Sequence, residues 1–337
     1  FLWRIIRRNG DGSVRMIYSG KSVSDTADAT TIGKSQFNSK YWDPTYVGYK
    51  YNEDFSLHEN NGVINYNGFT NTQKYNYGTG YTFDETTKKF TLTGDIKELT
   101  WKDNHNEIVS GQLYSCLDKE CNIVYKVTEY VNESTMKVQP INYGSNSLLS
   151  AQTNQTDSPI KTKLDNWYQS ELVSYSSYIA DETFCNDRSV TSGDGYKLDS
   201  YTQYGALDRL NNRKTPSLKC SGDNDKFRVS NARAKLDYPI GLILADEVAL
   251  AGGVYNTTNM NYYLYNSRYF WTLSPSYFNS SYSSANVCTV MSSGSLHPWA
   301  NVPGSLGIRP VINLKGNTLI AKGDGSSINP FVVKTEG

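Results

Sequence analysis

Apolar, strand-favouring residues dominate 3–7 and 14–18, interspersed with arginines, and Asn9-Gly10-Asp11-Gly12 lies between the two runs. Strand-like runs on either side of strong turn chemistry predict an opening β-hairpin. The arginines of this region, Arg4, Arg7, Arg8 and Arg15, read as the wet side of its strands. Aromatic residues then flank Pro44 and Gly48 over 42–51. From about Tyr66 to Tyr143 strand-like runs follow one another (90–93, 96–101, 108–116, 121–131, 136–141) without a helical period. That stretch predicts a small β-rich module, 66–143, inserted into a main domain formed by 1–65 and 144–337.

Helical spacing begins at Ser158-Pro159. Ser is a good N-cap and Pro suits the first helical position. Ile160, Leu164, Trp167, Tyr168 and Leu172 then share one face, which is the pattern of a core-packing helix. Residues 238–244 predict a buried strand, and 246–251 a short helix with Asp246 and Glu247 in its first turn and Gly252-Gly253 ending it. Short strands are expected at 269–273, 285–291 and 308–314, with a last one at 331–333 lying near the start of the fold. The fold class is therefore α+β: short strands, two main helices, long loops and an inserted small β-module.

Composition narrows the function. Lys plus Arg and Asp plus Glu are both 33 in 337 residues, so the net charge is zero, and no basic cluster of the kind that grips nucleic acid is present. Only 38% of residues are hydrophobic, yet there are 27 Tyr and 6 Trp. Rings with a polar tip suit half-wet sheets and binding surfaces. No run approaches the roughly 18 apolar residues of a membrane span. The chain opens on Phe1 inside a strand, which predicts an upstream export segment or a lipid or membrane anchor. Of five cysteines, Cys116 with Cys121 and Cys185 with Cys220 are the expected disulfides, leaving Cys288 free. Disulfides place the protein outside the cytosol.

Catalytic and metal chemistry find little support. None of His58, His105 and His297 has a second His or Cys at ligand spacing, so no metal is expected. The Asp/Asn-rich loops at Asp194 and at Asp223 to Asp225 read as solvated turns. No Gly-rich phosphate loop or nucleophile elbow occurs, so no cofactor is expected. Cys288 has no neighbour in sequence that would activate it. Asp246 and Glu247 are adjacent, so their side chains diverge. A pair of acids distant in sequence, as in a glycosidase, stays open.

The most informative block is Tyr269-Phe270-Trp271-Thr272-Leu273-Ser274-Pro275-Ser276-Tyr277-Phe278, a polar stretch, then Gly307-Ile308-Arg309-Pro310-Val311-Ile312-Asn313-Leu314. It resembles the C-terminal half of C-type-lectin-like folds of the formylglycine-generating-enzyme type, the scaffold also used by variable proteins of diversity-generating retroelements. Leu2 to Ile6, Tyr238 to Ile243, Ala245 to Val248, Ala251-Gly252-Gly253 and Gly323-Asp324-Gly325 are similar, in the same order, to surface proteins of gut Firmicutes and their phages. The resemblance covers most of the chain outside 66–143. It implies a rigid scaffold holding a loop-rich face open to hypervariation, on which a protein or glycan of another surface is bound. The implied contacts are Tyr277, Asn279, Ser280, Tyr282, Ser284 and Asn286 in the first loop, and His297, Pro298, Trp299, Ala300, Pro303, Ser305 and Leu306 in the second. Tyr277, Tyr282, His297 and Trp299 are the aromatic anchors. Arg309 and Trp271 are expected to serve the core. The oxidative cysteine pair of the enzymes and the calcium-dependent sugar motifs of animal lectins are not matched. The expectation is an extracellular adhesion or receptor-type protein and not an enzyme. The alternatives are a pilin-like structural subunit, and an enzyme of the formylglycine-generating type.

Overall fold

The computed structural model describes residues 1–52, 145, 147–197, 200–282 and 284–335 in full, and within 56–144 the backbone of the strands named below. The chain divides into two compact units, one made of 1–53 with 147–337 and the other of 54–146.

In the first unit, β1 (Trp3–Arg8) and β2 (Val14–Tyr18) form the expected hairpin. Its turn closes through the Asn9 amide on the Ser13 carbonyl at 2.8 Å. Asp11 caps the turn by accepting from the Ser13 amide at 2.9 Å, and Gly12 takes φ +88°, which a side chain would resist. The helix α1 (Pro159–Glu171) starts at the Ser158 cap and buries Ile160, Leu164 and Tyr168. Its Trp167 is half-buried, edge-on to Phe1, Trp3 and Tyr18. The next elements are β3 (Thr202–Tyr204), the short helix α2 (Ala245–Leu250), β4 (Phe270–Asn279), β5 (Ser284–Val290), β6 (Leu296–Asn301) and β7 (Val311–Leu314).

Two sheets organise this unit. One has the order β1-β2-β7, so the first and last thirds of the chain meet in a single sheet. The other has seven strands and runs Val190–Ser192, β3, β4, β5, β6, with Leu306–Gly307 joining β4 and Lys34–Ser35. The core between them holds Trp271, whose Nε1 donates to the Ser35 carbonyl at 2.9 Å. Arg309 is also fully buried there. It donates to the carbonyls of Tyr18 and Leu264, both at 3.1 Å, and stands 5.0 Å from the Phe270 ring centre. Burial pushes its guanidinium value down, because carbonyl dipoles and a ring face replace a carboxylate partner.

Several expectations change. Arg15 is not on a wet face: its side chain is fully buried and pairs with Glu247 at 2.7 Å. β2 is the central strand of its sheet and its residues are covered on both faces, so alternation does not bring Arg15 to water. Residues 238–244 are buried from Ile240 onward, yet they make only one bridge, Gly241 to Val311, and are extended chain. Val332–Val333 pairs with Ile320–Lys322 in a separate hairpin; it is β7 that returns to the start of the fold.

The boundary of the second unit also moves. It begins at Asp54, not at Tyr66, because Ser56–Glu59 and Ile64–Tyr66 both pair with Thr135–Gly144. Ile123–Asn132 and Leu113–Cys116 complete that sheet. Tyr75–Tyr77 pairs with Trp101–Asp103, and Tyr81–Asp84 with Lys89–Leu92. The expected Cys116–Cys121 bond lies outside the described residues. Cys185 and Cys220 are joined, with Cα atoms 5.8 Å apart. Among the described residues no helix is long and apolar enough to cross a membrane.

Three carboxylates, Asp157, Asp165 and Asp237, lie within 4.8 Å of one another. The position between them is taken by Lys161, which donates to them at 2.9, 2.5 and 2.7 Å. Lys50 adds a second cation on Asp157 at 2.9 Å, so three carboxylates share two ammonium groups and the most enclosed carboxyl holds its proton longest. Burial pushes Asp165 up to about 6, against the opposing pull of Lys161. Because the folded value lies above the ordinary 3.8, this stabilising contribution is present below about pH 4 and is lost as the pH rises through 6. Asp165→Asn removes that dependence. The Tm of the variant relative to the native chain is expected to increase between pH 4 and pH 7, and thermal unfolding at the two pH values checks it.

Candidate functional site

The two segments singled out in the sequence are adjacent in space. β5 lies between β4 and β6, with Asn279 opposite Ser284, Tyr277 opposite Asn286, and Asn286 opposite Asn301. The Val302 amide also donates to the Ala285 carbonyl at 3.1 Å. Directly opposed residues of neighbouring strands point to the same side of a sheet. Tyr277, Asn286 and Asn301 therefore form a row across three strands. Along β6, burial alternates: His297, Trp299 and Asn301 face outward, while Leu296, Pro298 and Ala300 face inward.

On this face the rings are held in place. Tyr201, just before β3, stacks on Tyr277 with centres 5.5 Å apart and planes 22° apart. Trp299 is 57% exposed and meets His297 edge-on at 5.5 Å. Tyr282, on the turn between β4 and β5, is 79% exposed. The chain at Val254 to Asn256 is pinned along β6 by two bonds of 2.9 Å to and from Leu296, which sets Tyr255 beside the row. Further along the same segment Asn259 passes against Gly294, at φ +78°, where a Cβ would strike the Asn259 carbonyl.

The electrostatics of the face are those of burial. Desolvation, then the neighbouring Tyr201 phenol, pushes Tyr277 up to about 12. Desolvation is also the main cause raising Tyr255 and Tyr201. It lowers His297, so that imidazole is neutral at neutral pH, and its Nδ1 has no hydrogen-bond partner among the described residues. Beneath the row, Cys288 is buried and its thiol is pushed far up, chiefly by desolvation and then by Asp246. A thiol held protonated in this way is a poor nucleophile.

The expected contact residues divide by exposure. Tyr282, Trp299 and Ser305 are exposed, and Asn279, Ser280, His297, Pro303 and Leu306 are partly so. Ser284, Asn286, Pro298 and Ala300 are buried and offer no contact surface. They lie in regular strands of a covered sheet and not in loops: the Asn286 amide donates back to the Ser284 carbonyl at 2.7 Å, and the Pro298 carbonyl accepts from Ser276 Oγ. Tyr277 is 8% exposed and acts as the support for Tyr201. Sequence reasoning missed Tyr201, Tyr255 and Asn301, since the first two lie far from the block in sequence and come to the face only through sheet pairing.

Asp246 and Glu247 serve the framework below. Asp246 takes a two-pronged grip from Arg209 at 2.9 Å through each prong, and Arg209 also donates to Asp187 at 2.7 Å. The adjacent Glu247 turns the other way, to Arg7 and Arg15. This is an α+β protein whose antiparallel sheet carries a half-exposed aromatic and amide face on a buried ionic base. No protein-family model, no curated protein and no solved structure matches the chain.

Proposed function

We propose that this chain is an extracellular ligand-binding protein of the adhesion or receptor type, built on a C-type-lectin-like scaffold related to retroelement-diversified variable proteins. The observation that carries the reading is the face of β4 to β6. Trp299 on β6 and Tyr282 on the turn between β4 and β5 stand exposed there, beside strands that are packed along their length. Rings that remain in water on a rigid base, surrounded by small polar residues, have the makeup of a recognition surface. Already ordered rings lose little further freedom on binding. The Cys185–Cys220 bond is in keeping with an oxidising compartment.

The test is a double variant, Trp299→Ala with Tyr282→Ala, probed on glycan and protein arrays beside the native chain. Both side chains are exposed, so Tm is expected to hold within about 2 °C. Retention of the array ligand is expected to fall by roughly tenfold or more. Unchanged retention would remove the assignment of this face.

A further inference from the structure

Between Arg268 and Arg309 the sequence contains no Asp, Glu, Lys or Arg, in a chain where 20% of residues are charged. This charge-free stretch supplies β4, β5, β6 and the turns that carry the exposed face. Its outward positions are Trp299, Tyr282, His297, Asn279, Asn301 and Ser305. The only ionisable groups among them are the imidazole, which burial keeps neutral, and the phenol.

A charge-free stretch that leaves rings exposed on one strand and one turn is unusual. Protein partners are commonly engaged through Arg anchors and a charged rim, which also steers encounter. Phosphorylated and acidic ligands require cations. Neither is offered by this stretch. What the stretch does offer is ring faces, together with amides and hydroxyls that can both donate and accept. A sugar ring has complementary chemistry: one face of C–H groups that lies against an aromatic ring, and a rim of hydroxyls that need both donors and acceptors.

Three rings, at different levels, belong to this region. Trp299 lies on β6 beside the irregularity at Cys288 of β5, and Tyr282 lies on the turn beyond the start of β5 at Ser284. The steps from Cys288 to Ser284 span roughly 13 Å along β5 at about 3.3 Å per residue. The Tyr201–Tyr277 stack lies between these levels, because Tyr277 is opposite Asn286. Aromatic supports therefore recur along the face.

We infer that this face binds an uncharged oligosaccharide, with the rings of Trp299, Tyr201 and Tyr282 as platforms and Asn279 and Asn301 as hydrogen-bonding partners. The inference rests on the recognition reading above and adds the ligand's chemical class. Since no charge pair forms, few counterions are displaced, and binding is expected to be nearly independent of salt.

Affinity electrophoresis through neutral polysaccharides (amylopectin, galactomannan, a mixed-linkage β-glucan) and acidic ones (alginate, chondroitin sulfate) tests it, with casein as a protein control. The expected result is retardation by at least one neutral polymer. Its Kd should change less than about twofold between 50 and 500 mM NaCl. Trp299→Ala should weaken it about tenfold or more, Trp299→Phe should restore most of it, and Lys322→Ala should leave it unchanged. No retardation by any neutral polymer, or salt-sensitive retardation by the acidic ones alone, overturns the saccharide inference. Should an array ligand prove to be a protein whose capture needs Trp299, the recognition face stands and only the ligand class fails. Neutral-polymer binding that persists in the Trp299→Ala, Tyr282→Ala variant removes the face itself.

Discussion

Glu247→Ala is expected to destabilise the first unit by about 3–5 kcal/mol, which is the scale of breaking a buried ion pair by removing one partner. The Glu247 carboxylate is fully enclosed and does three things. One oxygen pairs with Arg15 at 2.7 Å and with Arg7 at 2.9 Å. The other accepts from the Leu244 amide at 3.0 Å and so caps α2. Arg15 itself is fully buried, and its other contacts are the Thr183 and Leu242 carbonyls at 3.3 Å and the Phe184 ring at 4.6 Å. Without Glu247 it keeps its charge in the core with only those weak partners. Burial already lowers its value, and Glu247 is the main opposing influence. A loss of that size corresponds to a fall in Tm of roughly 10 °C for a unit of this length. The contrasting variant is Asp208→Ala, which breaks a pair whose Arg213 is 58% exposed and is expected to change stability by under 1 kcal/mol. Urea unfolding of both variants provides the comparison, and near-equal midpoints would contradict the role given to Glu247.

Cys220→Ser is expected to cost about 3–4 kcal/mol, from closing a chain of 35 residues in the unfolded state. The bond spans a segment with little regular structure to hold it. Phe184–Cys185 pairs with Lys226–Phe227 through only two residues each. The rest of the anchoring is polar: Arg188 grips Asp225 at 2.7 Å and also donates to the Gln152 and Asn224 carbonyls at 3.1 and 2.9 Å. Such a clamp is directional and comes apart as a group once the chain ends separate. Guanidinium unfolding with and without reductant reads the effect. The native chain under reductant should match Cys220→Ser in oxidant, and the variant should ignore reductant. Equal midpoints for the native chain in both conditions would show that the polar clamp suffices alone.

What the sequence revealed, and what it hid, follows from how local each signal is. The opening hairpin and α1 were legible because their turn and cap lie within a few residues of the pattern they terminate. β4, β5 and β7 were located by their aromatic and β-branched runs, although β4 extends to Asn279, well past the expected end at Leu273. β4 carries Pro275 within it, at an irregularity in register. Residues 238–244 misled because an apolar run reports burial and not pairing. Arg15 misled in the opposite sense, since alternation assumes that one face of a strand is wet. At the face, Tyr282 and Trp299 were singled out in the sequence, and both are exposed. Ser284, Asn286, Pro298 and Ala300 were not separable from them until sheet pairing fixed which side each residue takes. Tyr201 and Tyr255 carry no local mark at all, and only the folded sheet brings them to Tyr277.

The excursion that leaves the first unit after Asn52 is sealed at its root. Gln155 and Ser158 donate their amides to the carbonyls of Tyr51 and Tyr49, and the Asn52 side chain bonds to Ser150 Oγ at 2.9 Å. Thr156–Asp157 and Lys50–Tyr51 are paired like the two jaws of a clasp. The outgoing and returning strands are thus fastened to each other by residues that belong wholly to the host. Because the clasp joins neighbouring chain ends within the host, the entropy of closing it grows only slowly with the length of the chain between them.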